Sequence, residues 1–222
     1  MLIVEDIIHL SSPLIYIFFV HCIQFLPSIQ NNQIMIFFRW LHNINLSIVS
    51  LFMFIGITIG QFQTGKFDSL DALLCQPYGD NLFVYYSVKA FLWSKYLEWG
   101  DTLFLQLSGK PISMLQYTHH MSTAILVYSH IKNDFISPFM YVFQSLNCVI
   151  HVFMYWYFAY PHGLLHRYRK LITSSQIVQH IICLTTIVYT MSIDNCKQNR
   201  WGNELGLALY SMYLFYFVAF YL

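Results

Sequence analysis

Seven apolar stretches, each about the length of a bilayer-crossing helix, set the narrowest limit on what this chain can fold into. They lie near residues 3–26, 34–60, 82–106, 113–131, 135–159, 168–191 and 203–222, and about 20 apolar residues suffice to cross the hydrocarbon core as a helix. Short polar segments at 27–33, 61–81, 107–112, 132–134, 160–167 and 192–203 separate them. No linker, repeat or low-complexity tract divides residues 1–222, so the pattern predicts an all-α membrane protein, a single domain of seven transmembrane helices. Composition agrees, because only 9% of residues are charged against ~25% in a soluble domain. Eleven Lys and Arg face ten Asp and Glu, and that balance gives no reason to invoke nucleic acid. The first stretch carries Glu5 and Asp6 near its start and has no basic leader. It reads as a retained helix, not a signal peptide.

The cationic residues orient the bundle weakly. Lys110, Arg167, Arg169 and Lys170 fall on one side of the membrane, and Lys66, Lys132, Lys197 and Arg200 on the other. The dense Arg167–Lys170 cluster breaks the tie by the positive-inside rule, placing the loops after helices one, three and five in the cytosol and the amino terminus in the lumen. Of the five cysteines, Cys22, Cys148 and Cys183 fall within helices. Cys75 and Cys196 fall in two loops on the same, lumenal side, where a disulfide is permitted, and as the only loop thiols they are the expected bonded pair; two free thiols are the alternative.

Polar residues inside the helices are costly in hydrocarbon and therefore informative. Helix three carries Lys95, Glu98, Asp101 and Thr102 on about a third of its circumference, at 100° per residue. Helix four carries Gln116, His119 and His120. Helix five carries Asn147, His151, Met154, Tyr155 and Phe158, and helix six carries Thr173, Gln176, Gln179 and His180. Any single stripe is explained by interhelical hydrogen bonding, and a lone His21 or His42 is best read that way. Alternating helix direction, however, brings Glu98, His119, His151 and Gln176 to one depth, roughly 10 Å below one surface at 1.5 Å per residue. Four stripes at one level describe a buried polar chamber.

The same residues resemble the motifs of the fatty acid elongase (ELO) condensing enzymes. Lys95-Tyr96-Leu97-Glu98-Trp99-Gly100-Asp101-Thr102 reproduces K-x-x-E-x-x-D-T. Gln116-Tyr117-Thr118-His119-His120 resembles H-x-x-H-H with Gln in place of the first His. His151-Val152-Phe153-Met154-Tyr155-Trp156-Tyr157-Phe158 resembles H-x-x-M-Y-x-Y-Y with Phe158 last, and Thr173-Ser174-Ser175-Gln176-Ile177-Val178-Gln179 matches T-x-x-Q-x-x-Q. Asn147 stands four residues before His151, as in the family.

The resemblance implies a seven-helix bundle or barrel enclosing an acyl tunnel, in the endoplasmic reticulum membrane, alongside the other enzymes of the elongation cycle. It implies condensation of a long-chain acyl-CoA with malonyl-CoA, without a metal or other cofactor. His119 is then the nucleophile that carries the acyl group, with His120, His151 and Asn147 catalytic beside it. Lys95, Glu98, Asp101, Thr102, Gln116, Tyr155, Tyr157, Thr173, Gln176 and Gln179 line the substrate site. Lys110, Arg167, Arg169 and Lys170 are placed to hold CoA phosphates, unless they serve topology alone. Cys148 is the rival nucleophile, but it is rotated about 100° from Asn147. Two other classes remain open on the residues alone: a membrane di-iron desaturase or hydroxylase, which would need more histidine ligands than one incomplete box supplies, and a seven-helix receptor or transporter.

Overall fold

The computed structural model describes residues 2–30, 32–131 and 136–222, and the described residues form helices joined by turns, with no strand among them. The loop at 132–134, with Lys132, lies outside the described residues.

Each apolar stretch is helical, but two are broken. The first divides into α1 (Leu2–Leu10) and α2 (Ser12–Ile23), which meet at a bend of 56°. Pro13 explains the break, since it has no N–H and its ring clashes with the carbonyl four residues earlier, that of His9. The freed His9 carbonyl accepts from Ser12 Oγ at 2.8 Å, and Ser11 Oγ donates to Ile7 O at 2.6 Å. The third stretch divides at Glu98 into α5 (Leu82–Leu97) and α6 (Trp99–Leu107). Elsewhere the helices run as α3 (Gln33–Gln63), α7 (Met114–Ser129), α8 (Phe139–Ala159), α9 (Arg169–Met191) and α10 (Arg200–Tyr221). A six-residue helix, α4 (Leu70–Cys75), and a 3₁₀ turn over Leu164–Tyr168 interrupt two segments read as plain loops.

Taken singly, three segments are long and apolar enough to cross a membrane: Gln33–Gln63, Leu164–Met191 and Arg200–Tyr221, with α1 and α2 a fourth if the bent pair is one span. The others fall short of the seven counted in sequence for physical reasons. The break at Glu98 leaves α5 with 16 residues and α6 with 9, α7 has 16 residues, about 24 Å of helix against a ~30 Å core, and the 21-residue α8 is diluted by Gln144, Asn147 and His151.

Six helices pack in a closed order, α3 on α5, α5 on α7, α7 on α10, α10 on α9, α9 on α8 and α8 back on α3, while α1 and α2 lie outside against α7. Small residues permit the closest approaches. A Cβ at Gly202 would stand 2.7 Å from His130 Nδ1 and 3.0 Å from Ser129 O, so α10 reaches α7 only with glycine there. The core of the ring is aromatic and aliphatic, including Phe91, Leu126, Phe139, Tyr210 and Tyr213, each almost wholly buried.

One end of the ring is laced. Cys75 and Cys196 are bonded, with Cα atoms 4.5 Å apart, and the backbone supports the junction: Lys197 N donates to Cys75 O at 3.1 Å, and Gln198 Nε2 donates to Leu74 O. Lys66, buried beneath the same loop, donates from Nζ to Gln76 O at 2.9 Å and Pro77 O at 3.0 Å. Closing a loop of this length contributes up to about 5 kcal/mol by chain entropy, less where insertion already restricts the chain. Non-reducing peptide mapping is expected to recover one linked pair containing Cys75 and Cys196. Recovery of both as alkylated thiols from protein never exposed to reductant would contradict the bond.

Candidate functional site

The break at Glu98 lies at the centre of the ring's polar interior. Lys95, one helical turn earlier, donates from Nζ to Glu98 Oε1 at 2.8 Å and to Asn147 Oδ1 of α8 at 3.0 Å. Both charged side chains are 1–2% exposed, so this is a buried ion pair that needs its added hydrogen bond to offset desolvation. Asn147 Nδ2 in turn lies 3.2 Å from His151 Nε2, and His151 Nδ1 lies 3.6 Å from Glu98 Oε1.

This chain of contacts determines a tautomer. Lys95 has only protons to give, so the Asn147 atom it touches must be the carbonyl oxygen and the other the amide nitrogen. That nitrogen donates, which makes His151 Nε2 an acceptor and puts the proton of a neutral imidazole on Nδ1, toward Glu98. Both nitrogens of His151 are thereby assigned a partner or a direction.

His119 differs. It is half-buried on α7, and its ring nitrogens make no hydrogen bond with any described residue. Its ring packs 5.0 Å from that of Tyr213 and 5.5 Å from that of His120, and Lys95, His151 and His180 lie within electrostatic reach. Tyr213 is held by its hydroxyl, 2.6 Å from Ser122 Oγ. His120 is buried; its carbonyl accepts from Trp99 Nε1 at 3.1 Å, while its Nδ1 and the Oε2 of Glu98 have no hydrogen-bond partner among the described residues.

Other predicted positions take related places. Asp101 accepts from Tyr155 OH at 2.8 Å and pairs with His42 Nε2 at 2.9 Å. Thr102 meets Tyr16 of α2 at 2.9 Å. Gln176 Nε2 lies 3.4 Å from Met154 Sδ, and the Gln176 backbone carbonyl is 2.5 Å from His180 Nδ1. Gln116 is half-buried one turn before His119, its backbone N–H capped by Ser113 Oγ at 3.1 Å. Cys148 is buried and free.

Several predicted residues stand apart from this cluster. Thr173 Oγ1 turns back to Arg169 O at 3.4 Å, and the Tyr157 ring lies 6.4 Å from that of His166 near the end of the hairpin. Gln179 faces a groove between α8 and α9. Lys110, Arg167, Arg169 and Lys170 are exposed at helix ends.

Three contributors carried no motif signal of their own: Tyr16, Tyr213 and His42. Tyr16 is fully buried, with its ring 5.2 Å from Trp99 and 6.3 Å from His120. Only its isolation as a hydroxylated aromatic within the Ile15–Val20 run could have marked it. Tyr16→Phe keeps the ring and leaves Thr102, itself fully buried, without its partner. A loss of about 1 kcal/mol in unfolding free energy in detergent is expected; an unchanged melting curve would show that the hydroxyl pair is not formed.

Residues 6–222 match the family described as GNS1/SUR4, or ELO. Fatty acid elongase A of Dictyostelium discoideum is 33% identical over 150 residues, covering 67% of this chain and 54% of the relative. Putative fatty acid elongase 2 of Schizosaccharomyces pombe is 29% identical over 209 residues, covering 87% and 55%. Fatty acid elongase sre1 of D. discoideum is 26% identical over 191 residues, covering 85% and 71%. The chain thus spans about half the length of the first two relatives.

Proposed function

Because the chain belongs to the ELO (GNS1/SUR4) family, we propose that it is a membrane-embedded fatty acid elongase that condenses a long-chain acyl-CoA with malonyl-CoA. The observation that carries the reading is the contrast between two imidazoles: His151 is engaged by Asn147 and faces Glu98, whereas His119 has uncommitted nitrogens beside them. An uncommitted neutral imidazole is a nucleophile.

In this proposal a His119 nitrogen attacks the acyl thioester, the C–S bond breaks, and CoA leaves as the thiol with the imidazole proton. The acyl-imidazole is an activated acyl group. Malonyl-CoA then loses carbon dioxide, and the electron pair of the broken C–C bond forms an enolate on its thioester. The enolate carbon attacks the acyl carbonyl, the N–C bond to His119 breaks with its electron pair returning to the imidazole, which takes up a proton relayed from water through His120, and 3-oxoacyl-CoA departs two carbons longer. Developing negative charge on oxygen needs donors fixed in advance, and the Lys95 ammonium and Asn147 amide, already held by Glu98 and His151, supply them. The His120 Nδ1 position, unpartnered beside Glu98, is the acid or base.

In the same proposal α1 with α2, α3, α5 with α6, α7, α8, α9 and α10 make seven crossings of the endoplasmic reticulum membrane. The acyl chain runs inside the ring toward the laced, lumenal end.

Membranes containing the full chain, incubated with carboxyl-labelled malonyl-CoA and a panel of acyl-CoAs, are expected to release labelled carbon dioxide in proportion to 3-oxoacyl-CoA formed. Correctly inserted protein that gives neither product with any acyl-CoA refutes the reading.

A further inference from the structure

The α8–α9 hairpin has a charge distribution that the chemistry above does not use. From residue 136 to 193 the sequence contains no Asp or Glu, yet Arg167, Arg169 and Lys170 stand together at its turn. All three are exposed. Arg169 Nη1 reaches only His166, at 3.2 Å from Nε2 and 3.4 Å from the carbonyl, and the Arg167 guanidinium lies 5.6 Å over the Tyr168 ring. No carboxylate pairs with any of the three among the described residues.

Immediately inward from this turn, a groove of about 380 Å³ follows the seam between α8 and α9, within the size range of ligand sites. It starts at Leu171, two residues from Arg169, and runs to Ile182, about 17 Å along the helix. Its walls are apolar, including Phe54, Leu146, Val149 and Val178, and Leu171 and Val178 are 61% and 52% exposed, so the groove opens outward. A polar strip of Ser145, Ser174, Ser175 and Gln179 lies along it. Gln179 is 3% exposed, and its side-chain amide has no hydrogen-bond partner among the described residues. Ser145 Oγ accepts from Gln61 Nε2 at 3.1 Å, leaving its own hydrogen uncommitted. The groove lining carries no charge.

We infer that this hairpin is a binding site for one anionic glycerolipid of the surrounding membrane. Its phosphate sits on Arg167, Arg169 and Lys170, and one acyl chain lies in the α8–α9 groove. Unneutralised cations at a membrane surface attract anionic headgroups. The uncharged, apolar groove suits a hydrocarbon chain and offers donors to an oxygen of the lipid. Neither observation depends on the elongase reading: the cations are accounted for by the headgroup and the unpartnered Gln179 amide that lines the groove by the bound lipid.

The full chain in phosphatidylcholine nanodiscs, doped with a trace of phosphatidylserine bearing a diazirine midway along one chain, tests this. Photolabel is expected on the peptide containing residues 171–182, displaced by unlabelled phosphatidylserine but not by phosphatidylcholine or CoA. Each cation removed, by Arg167→Ala, Arg169→Ala or Lys170→Ala, is expected to weaken retention about fivefold. Val178→Trp, at an exposed position that tolerates bulk, is expected to remove the label without changing the headgroup charge dependence of residual binding. Displacement by CoA would assign the cations to substrate phosphate and overturn the proposal. Equal displacement by phosphatidylcholine would mean bulk lipid only, and labelled dimers cross-linked through α8 and α9 would mean a second copy of the chain; either result overturns it.

Discussion

His119→Ala is expected to reduce condensation more than about a thousandfold, roughly 4 kcal/mol of barrier, while the variant still inserts and elutes as the parent does. The side chain is half-buried and has no hydrogen bond with a described residue, so its removal breaks no polar network. What it removes is the imidazole proposed to bond to the acyl carbon, while His120, whose Nδ1 is also without a partner among the described residues, stays in place. Single-turnover incubation with labelled acyl-CoA, followed by rapid quenching and peptide mapping, separates this role from a merely spatial one. The parent protein should carry label on the peptide containing His119, and the variant none. Wild-type-like product from His119→Ala would remove the nucleophile assignment and leave His120 to be tested next.

Lys95→Met carries the largest expected effect on stability. It strands Glu98, 2% exposed, without the ammonium 2.8 Å away, and breaking one half of a buried pair typically costs 3–5 kcal/mol because the remaining charge has no compensation. Asn147 Oδ1 loses its donor at the same time, and the amide is then free to rotate and release His151. The single variant should therefore melt well below the parent in detergent. Lys95→Met combined with Glu98→Gln should recover much of that stability, since a neutral amide costs less to bury, yet remain inactive because the fixed donor is gone. Equal melting of single variant and parent would show that the pair is not buried in solution.

The sequence made the helical stretches readable because apolar runs are long and charge is sparse, and it made the polar level readable because helical periodicity and alternating direction are geometric constraints. Glu98, His151 and Asn147 meet for that reason. The two helix breaks were harder to see. Pro13 is a conventional signal, but it sits so near the start of the chain that the run still reads as one span. At Glu98 no Gly or Pro marks the break at the position itself. Two residues later, Gly100 serves a different end, since a Cβ there would fall 2.6 Å from His42 Cε1 and push away the imidazole that pairs with Asp101. His42 belonged to the lone histidines read as interhelical glue, and the pairing with Asp101 is of that kind. Gln179 was harder still. Its place in the T-x-x-Q-x-x-Q pattern says that it lies one turn from Gln176, but 3 residues at 100° leave 60° between them. That is enough to turn one amide toward Met154 and the other into the outer seam.

The bond between Cys75 and Cys196 has a mechanical consequence. In the cyclic order of helices, the loop carrying Cys75 joins α3 to α5 and the loop carrying Cys196 joins α9 to α10, and these two seams face one another across the ring. The covalent link is therefore a diameter, not a chord, and α4, whose last residue is Cys75, packs against α8 and α9. A cylinder of staves strapped across one rim can splay only at the other. Breathing motions are therefore expected to hinge at the strapped rim and to grow toward the turns that carry Lys110 and Arg167, so amide hydrogen exchange should quicken along each stave in that direction and even out when the strap is cut.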